Sequence, residues 1–222
     1  MRVTTRIPCS LSNHPRSDSR SYTNSPSFNG LVSFLFLDIL RRNMSDDTRV
    51  ISNLALIGFM GTGKSSTGHI VAELLGFEFL DTDQLIEEQT GKSISEIFSQ
   101  SGEVGFRTLE KRVGQWLASK TKTVIATGGG FVTSRENLDS LKAHALVVCL
   151  WASPEAIYER VRHQSHRPLL REPDPLEKIR RMLVEREPNY RQADVLVNTD
   201  LRSSREVAQQ ILHHFQSARK TP

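Results

Sequence analysis

Residues Leu54 to Ser65 read L-A-L-I-G-F-M-G-T-G-K-S, and the last eight form a complete G-x-x-x-x-G-K-[ST] phosphate loop. Glycines at positions 58, 61 and 63 permit a tight turn that exposes consecutive amide N–H groups to an anion. Gly61, Thr62 and Gly63 would wrap the phosphates, Lys64 would reach the outer ones, and the Ser65 hydroxyl would sit on Mg2+. Upstream, Leu54-Ala55-Leu56-Ile57 suits a buried parallel strand. Downstream, Thr67 to Leu75 suits a helix whose N-terminus turns partial positive charge toward the phosphates. Strand, loop and helix in that order predict a nucleotide-binding α/β protein.

Alternation continues along the rest of the chain. Phe77 to Leu80 reads as a second strand ending at Asp81-Thr82-Asp83, followed by helical patterns over Gln84 to Gln89 and Ile94 to Phe98. From Glu103 to Ala118 the residues Phe106, Leu109, Val113 and Leu117 share one helical face. Thr123 to Ala126 is a buried strand running into Gly128-Gly129-Gly130. Ala145 to Trp151 is another, with Ser153-Pro154 opening a helix. His163 to Asp174 is a polar, proline-bearing loop. Pro175 to Glu187 is helical, Val195 to Val197 is a last strand, and Arg205 to Phe215 is a closing helix. The expectation is a three-layer α/β/α fold around a parallel five-stranded sheet. Ligands on such a sheet bind beyond the carboxyl ends of the strands, so Asp81, Asp83 and the glycine triplet belong on the rim of the phosphate loop.

The pI of about 9.3 invites a nucleic-acid partner. Six arginines and two aspartates before Met44 account for the whole net charge of +4, leaving 23 basic and 23 acidic residues in 44–222. The body is therefore neutral, which argues against nucleic acid as a partner. Residues 1–43 form a separate leader, rich in Ser, Asn, Arg and Pro, with an apolar stretch at Leu31 to Leu40 too short to span a bilayer. Two readings stay open: a transit-like segment directing the protein to a plastid, or upstream sequence before a true start at Met44. The second, with a cytoplasmic enzyme of residues 44–222, is the main expectation. Cys9 and Cys149 suggest neither a disulfide framework nor a zinc site. No coiled-coil seam stands out, so a monomer is expected.

Asp81 and Asp83 alternate, so on an extended strand end they would share one face. Near bound ATP, one carboxylate could order the water shell of Mg2+ and the other could take a proton from the attacking hydroxyl. The competing reading is that Asp83 caps the helix at Gln84. Further along come Gly102-Glu-Val-Gly-Phe-Arg107, Gly128-Gly-Gly130, Arg167-Pro-Leu-Leu170 and Arg186-Glu-Pro-Asn-Tyr190. In this order and spacing the set resembles the shikimate kinase family, from about Ile51 to the C-terminus.

That resemblance implies ATP-dependent transfer to the 3-hydroxyl of shikimate, in a nucleoside-monophosphate-kinase-like fold with a lid loop. It implies that Lys64 holds the β- and γ-phosphates, that Ser65 and Asp81 serve Mg2+, and that Asp83 engages the shikimate hydroxyls as the base. Arg107 and Arg186 would clamp the substrate carboxylate, for which guanidinium is a planar two-pronged match. Glu110 would orient Arg107. Gly128, Gly129 and Gly130 would approach the substrate ring, with Phe98 and Phe106 as its apolar wall. Arg167 would be the lid arginine and Arg160 would lie on adenine. Ser66, Asn198 and Ser204 stand where the family has Thr, Asp and Pro. The rivals are another small-molecule P-loop kinase such as a gluconate kinase, a nucleoside monophosphate kinase, and a catalytically silent kinase-like binding domain.

Overall fold

A computed structural model describes residues 49–163 and 173–219. The phosphate-loop strand β1 (Asn53–Ile57) lies in the middle of a five-stranded sheet, fully buried along its length. The other strands are β2 (Glu78–Asp81), β3 (Thr123–Ala126), β4 (Ala145–Trp151) and β5 (Val195–Asn198), in the spatial order β2-β3-β1-β4-β5. Every pairing is parallel, with Leu56 opposite Ala126 on one side and opposite Val148 on the other. The chain leaves β1 for one edge, returns through β3, then crosses to the far side of β1. All the strands end on one rim, and the loops after β1, β2 and β3 meet there.

Successive side chains of a strand point to opposite faces, so each central strand supplies two cores. Leu54 and Leu56 join Val71, Val124, Val148, Val207, Ile211 and Phe215 in one layer. Ala55 and Ile57 join Ile125, Val147, Phe106, Val113, Leu117, Leu138 and Ile179 in the other. The first layer is covered by helices α1 (Lys64–Leu75) and α7 (Ser204–Ala218). The second is covered chiefly by α3 (Ile94–Leu117), α4 (Arg135–His144) and α6 (Pro175–Tyr190). Helices α2 (Thr82–Thr90) and α5 (Pro154–Val161) complete the set.

Local chemistry sets the helix ends. Ser93 with Glu96, and Ser203 with Glu206, form reciprocal capping boxes at the starts of α3 and α7. Ser153 caps α5 ahead of Pro154, and Asp174 caps α6 ahead of Pro175. Two separate helical stretches were expected over Ile94–Phe98 and Glu103–Ala118. They join into α3 across a break at Gly102, whose φ of 63° and ψ of −169° lie outside the helical region. The leader expected at residues 1–43, and Arg167, lie outside the described residues. Among the described residues, no helix is long and apolar enough to cross a membrane.

Candidate active site

The residues leaving β1 turn back over the strand end and run into α1. Gly58 has φ 134°, and a Cβ there would fall 2.3 Å from the Leu150 carbonyl oxygen, so only glycine fits. The Phe59 carbonyl accepts from both Thr62 Oγ1 and Lys64 Nζ at 2.8 Å, which ties the lysine head to its own loop. Ser65, one residue into α1, donates from Oγ to Asp81 Oδ2 at 2.7 Å. A hydroxyl and a carboxylate thus meet next to the phosphate loop.

One sequence expectation needs correction here. Asp81 and Asp83 do not share the face of an extended strand end, because α2 begins at Thr82 and Asp83 lies in its first turn. The cap is Asp81, whose Oδ1 accepts from the Asp83 N–H at 3.0 Å, so Asp83 is not the capping residue. This frees Asp81 Oδ2 for Ser65 and turns Asp83 toward the loop after β3. A Cβ on Gly128 would lie only 2.4 Å from Asp83 Oδ1. The Gly128 amide itself donates to Thr82 Oγ1 at 2.8 Å, so it serves the scaffold.

The same loop seats two arginines. A Cβ on Gly130 would come within 2.7 Å of Arg107 Nη1 and 2.8 Å of Nη2. Arg186 Nη1 donates to the Gly129 carbonyl at 3.1 Å, and its guanidinium lies 5.4 Å from the centroid of the Phe59 ring. The glycines were expected to clear room for a ligand ring. At Gly128 and Gly130 the nearer constraint is the protein's own carboxylate and guanidinium. Phe98 and Phe106 stack with centroids 4.7 Å apart, Phe106 buried and Phe98 reaching solvent. On the opposite flank, Arg160 donates to Thr199 O at 2.6 Å, Thr199 Oγ1 at 3.0 Å and Gly61 O at 3.3 Å, tying the β5–α7 connection to the phosphate loop.

Lys64, Ser65, Asp81, Asp83, Arg107, Arg186, Arg160 and both phenylalanines of the Phe98–Phe106 pair line one cleft of about 630 Å³. It holds the phosphate loop at the centre, with Asp83, Arg107, Arg186 and the glycine triplet to one side. On the other side stand Arg160, Thr199, Arg202, Ser204 and Val207. Two-lobed occupancy by a nucleotide and a small acidic acceptor is what this arrangement allows. Over residues 60–216 the chain matches the family model described as shikimate kinase. The chain belongs to the shikimate kinase family.

It is 44% identical over 166 residues to a shikimate kinase of Thermodesulfovibrio yellowstonii, an alignment covering 75% of this chain and 96% of the relative. A shikimate kinase from Acinetobacter baumannii, solved in complex with shikimate, is 41% identical with a TM-score of 0.73, covering 77% of this chain and 96% of that one. A gluconokinase from Sinorhizobium meliloti gives a TM-score of 0.52 at 18% identity, covering 78% and 95%. That last likeness concerns the fold alone. The gluconate kinase reading is therefore not favoured.

Electrostatics in this member of the shikimate kinase family centre on Arg107. Nη1 donates to Glu110 at 2.6 Å and Nη2 to Glu103 at 3.0 Å. Burial opposes the charge on Arg107, but the two carboxylates outweigh it and raise its pKa. Glu110 moves up from the usual carboxylate range, because burial outweighs the pull of Arg107; Asp83 adds to the rise and Arg186 opposes it. For the pair these effects conflict, burial favouring a neutral acid and the guanidinium an ionised one. A 2.6 Å contact to a permanent cation makes the ion pair the state at neutral pH.

Sequence reasoning missed Thr199 and Arg202 on the Arg160 side of the cleft and Tyr190 behind the glycine loop. Thr199 is 39 residues from Arg160 in the chain, and no local pattern signals that contact. Tyr190 was visible in the Arg186-Glu-Pro-Asn-Tyr190 run, four residues from Arg186, a helical spacing that puts both on one face.

Proposed function

We propose that this chain transfers the γ-phosphoryl group of ATP to the 3-hydroxyl of shikimate, with the roles of its residues as follows. One observation carries the reading: Asp83, Arg107 and Arg186 converge on the Gly128–Gly130 loop in the same cleft as the phosphate loop. Arg107 and Arg186 bind the substrate carboxylate, each presenting donors into the cleft from a fixed mount. Asp83 then faces a ring hydroxyl and takes its proton as that oxygen attacks phosphorus. A positioned base of this kind contributes about 10²- to 10⁴-fold to the rate. Lys64 and the loop amides neutralise charge on the transferring group, which is most of what phosphoryl transfer asks of a protein.

Ser65 and Asp81 are oxygen donors 2.7 Å apart, a set that suits Mg2+, which keeps several waters and takes few protein ligands. The ion would arrive with ATP and supply neutralisation of the phosphate charge. Arg160, Arg202 and Ser204 flank the adenine, and Phe98 with Phe106 walls the acceptor ring. Arg167 is assigned to a lid that excludes water from the closed site. The proposal extends to a monomeric cytoplasmic enzyme whose kinase unit is residues 44–222, acting on small molecules and not on nucleic acid or membranes. The balanced charge of that unit supports this part.

The test is ADP release by the full-length chain with MgATP, offered shikimate, gluconate and a nucleoside monophosphate separately. Turnover with shikimate alone is expected. Turnover with another acceptor would overturn the substrate assignment, and ATP binding without any turnover would favour a silent binding domain.

A further inference from the structure

Three backbone carbonyls follow one another in the glycine loop, and they are used differently. Gly128 O accepts from Phe131 N at 3.1 Å, and Gly130 O accepts from Thr133 N at 3.0 Å and Thr133 Oγ1 at 2.7 Å. Both are used inside the turn itself. The Gly129 carbonyl instead accepts from Tyr190 Oη at 2.8 Å and Arg186 Nη1 at 3.1 Å, which fills both its lone pairs from α6. Tyr190 is 1% exposed and closes the same helix, one turn after Arg186.

The peptide held in this way joins Gly129 to Gly130. Flanked by two residues without Cβ atoms, it is the unit of the loop most open to rotation. Its far end is the Gly130 Cα, where an added carbon would already lie 2.7 Å from Arg107 Nη1. Its near end packs on the phosphate loop, since a Cβ on Gly129 would lie 3.3 Å from Met60 N. A rotated peptide would therefore disturb Arg107 at one end and release Arg186 at the other.

We infer that Tyr190 is a positioning residue for the substrate clamp, holding the Gly129–Gly130 peptide so that Arg107 and Arg186 keep their separation. The inference rests on the proposed role of those arginines in binding the substrate carboxylate. Tyr190 acts through its hydroxyl as a donor. Burial pushes its pKa well above the usual phenol range, so the proton stays on the oxygen throughout the working pH range. The ring anchors the helix end, and the hydroxyl sets the loop.

Tyr190→Phe removes the donor and keeps the ring. The shikimate KM should rise roughly three- to tenfold, the range expected for one lost hydrogen bond, while the KM for ATP stays within about twofold. The same measurement on Arg186→Lys separates this inference from the clamp reading beneath it. If both variants weaken shikimate selectively, and Tyr190→Phe has a smaller effect in the Arg186→Lys background than in the wild type, Tyr190 works through the clamp. An unchanged shikimate KM in Tyr190→Phe, with a lowered melting temperature, would make Tyr190 merely structural and overturn the inference while the clamp stands. An unchanged shikimate KM in Arg186→Lys would overturn the clamp and the inference together.

Discussion

Glu110 Oε2 accepts from Arg107 Nη1 at 2.6 Å, and the two lie three residues apart on α3 with Glu110 at 1% side-chain exposure and Arg107 at 28%. The carboxylate is sealed in the core and the guanidinium reaches from it into the cleft. Glu110→Ala would leave a half-buried cation without its main partner. Loss of about 1.5–3 kcal/mol of stability is expected from removing the buried acceptor of a charged donor, which the carboxyl supplies in either protonation state, with a raised shikimate KM. Urea unfolding and steady-state kinetics would check it, and a variant as stable as the parent would refute the pairing argument.

Glu110 also predicts a pH dependence. Its folded-state pKa is raised above the unfolded value of 4.5, so the folded protein binds that proton more tightly. The stability linked to it is present at low pH and falls as pH rises from 4.5 through the folded pKa. Glu110→Gln should flatten this component of the slope, read as urea midpoints across that range.

Gly128→Ala and Gly130→Ala should separate activity from stability. Neither glycine has a positive φ, so alanine is compatible with the backbone. The new methyl on Gly128 would displace the Asp83 carboxylate from 2.4 Å, and that on Gly130 the Arg107 guanidinium from 2.7 Å. Side-chain ends can move away, so melting temperatures should change little. The base and the clamp would be misplaced, with turnover falling about 100-fold for Gly128→Ala. Near-normal kcat in Gly128→Ala would show that Asp83 does not need its present position.

Asp83→Asn should lower kcat by about 10²- to 10⁴-fold, with the KM for ATP little changed. Lys64→Ala should lose turnover through weakened phosphate binding and charge neutralisation. If Asp83→Asn retained full activity, another group would have to take the hydroxyl proton.

His144, at the amino-terminal end of the central strands and away from the cleft, sets an acid limit. Asn53 is held by Nδ2 donating to Lys120 O at 2.7 Å and Oδ1 accepting from Thr123 N at 3.0 Å. Its Nδ2 therefore also donates to His144 Nδ1, 2.8 Å away, which must carry no proton. Burial lowers the His144 pKa below 6.5, so the linked stability is present above 6.5 and lost as pH falls through the folded value. His144→Gln should remove that acid-side slope in thermal melts without changing the shikimate KM.

Whatever is written in consecutive residues could be read from the chain alone. The phosphate loop was legible because three glycines, a lysine and a hydroxyl must stand at set intervals for one backbone turn to hold an anion. The strands were legible because β1, β3 and β4 are buried on both faces and so read as unbroken apolar runs. Serine and proline likewise announced the start of α5. Which of these pieces meet is settled by packing. Parallel strand order does not follow from periodicity, and it is the place of β3 beside β1 that brings Gly128 to Asp83 and Gly130 to Arg107. A start of α2 at Thr82, two residues before the Gln84 read from the pattern, moved Asp83 off the strand face and gave the cap to Asp81. The sequence puts Tyr190 on one helical face with Arg186, but neither its bond to Gly129 nor the bond between Thr199 and Arg160 has a local signature, because each reaches a segment dozens of residues away. Backbone conformation is a property of neighbours in the chain. Juxtaposition is a property of the packed layers, which fix register and crossover only once the core has closed.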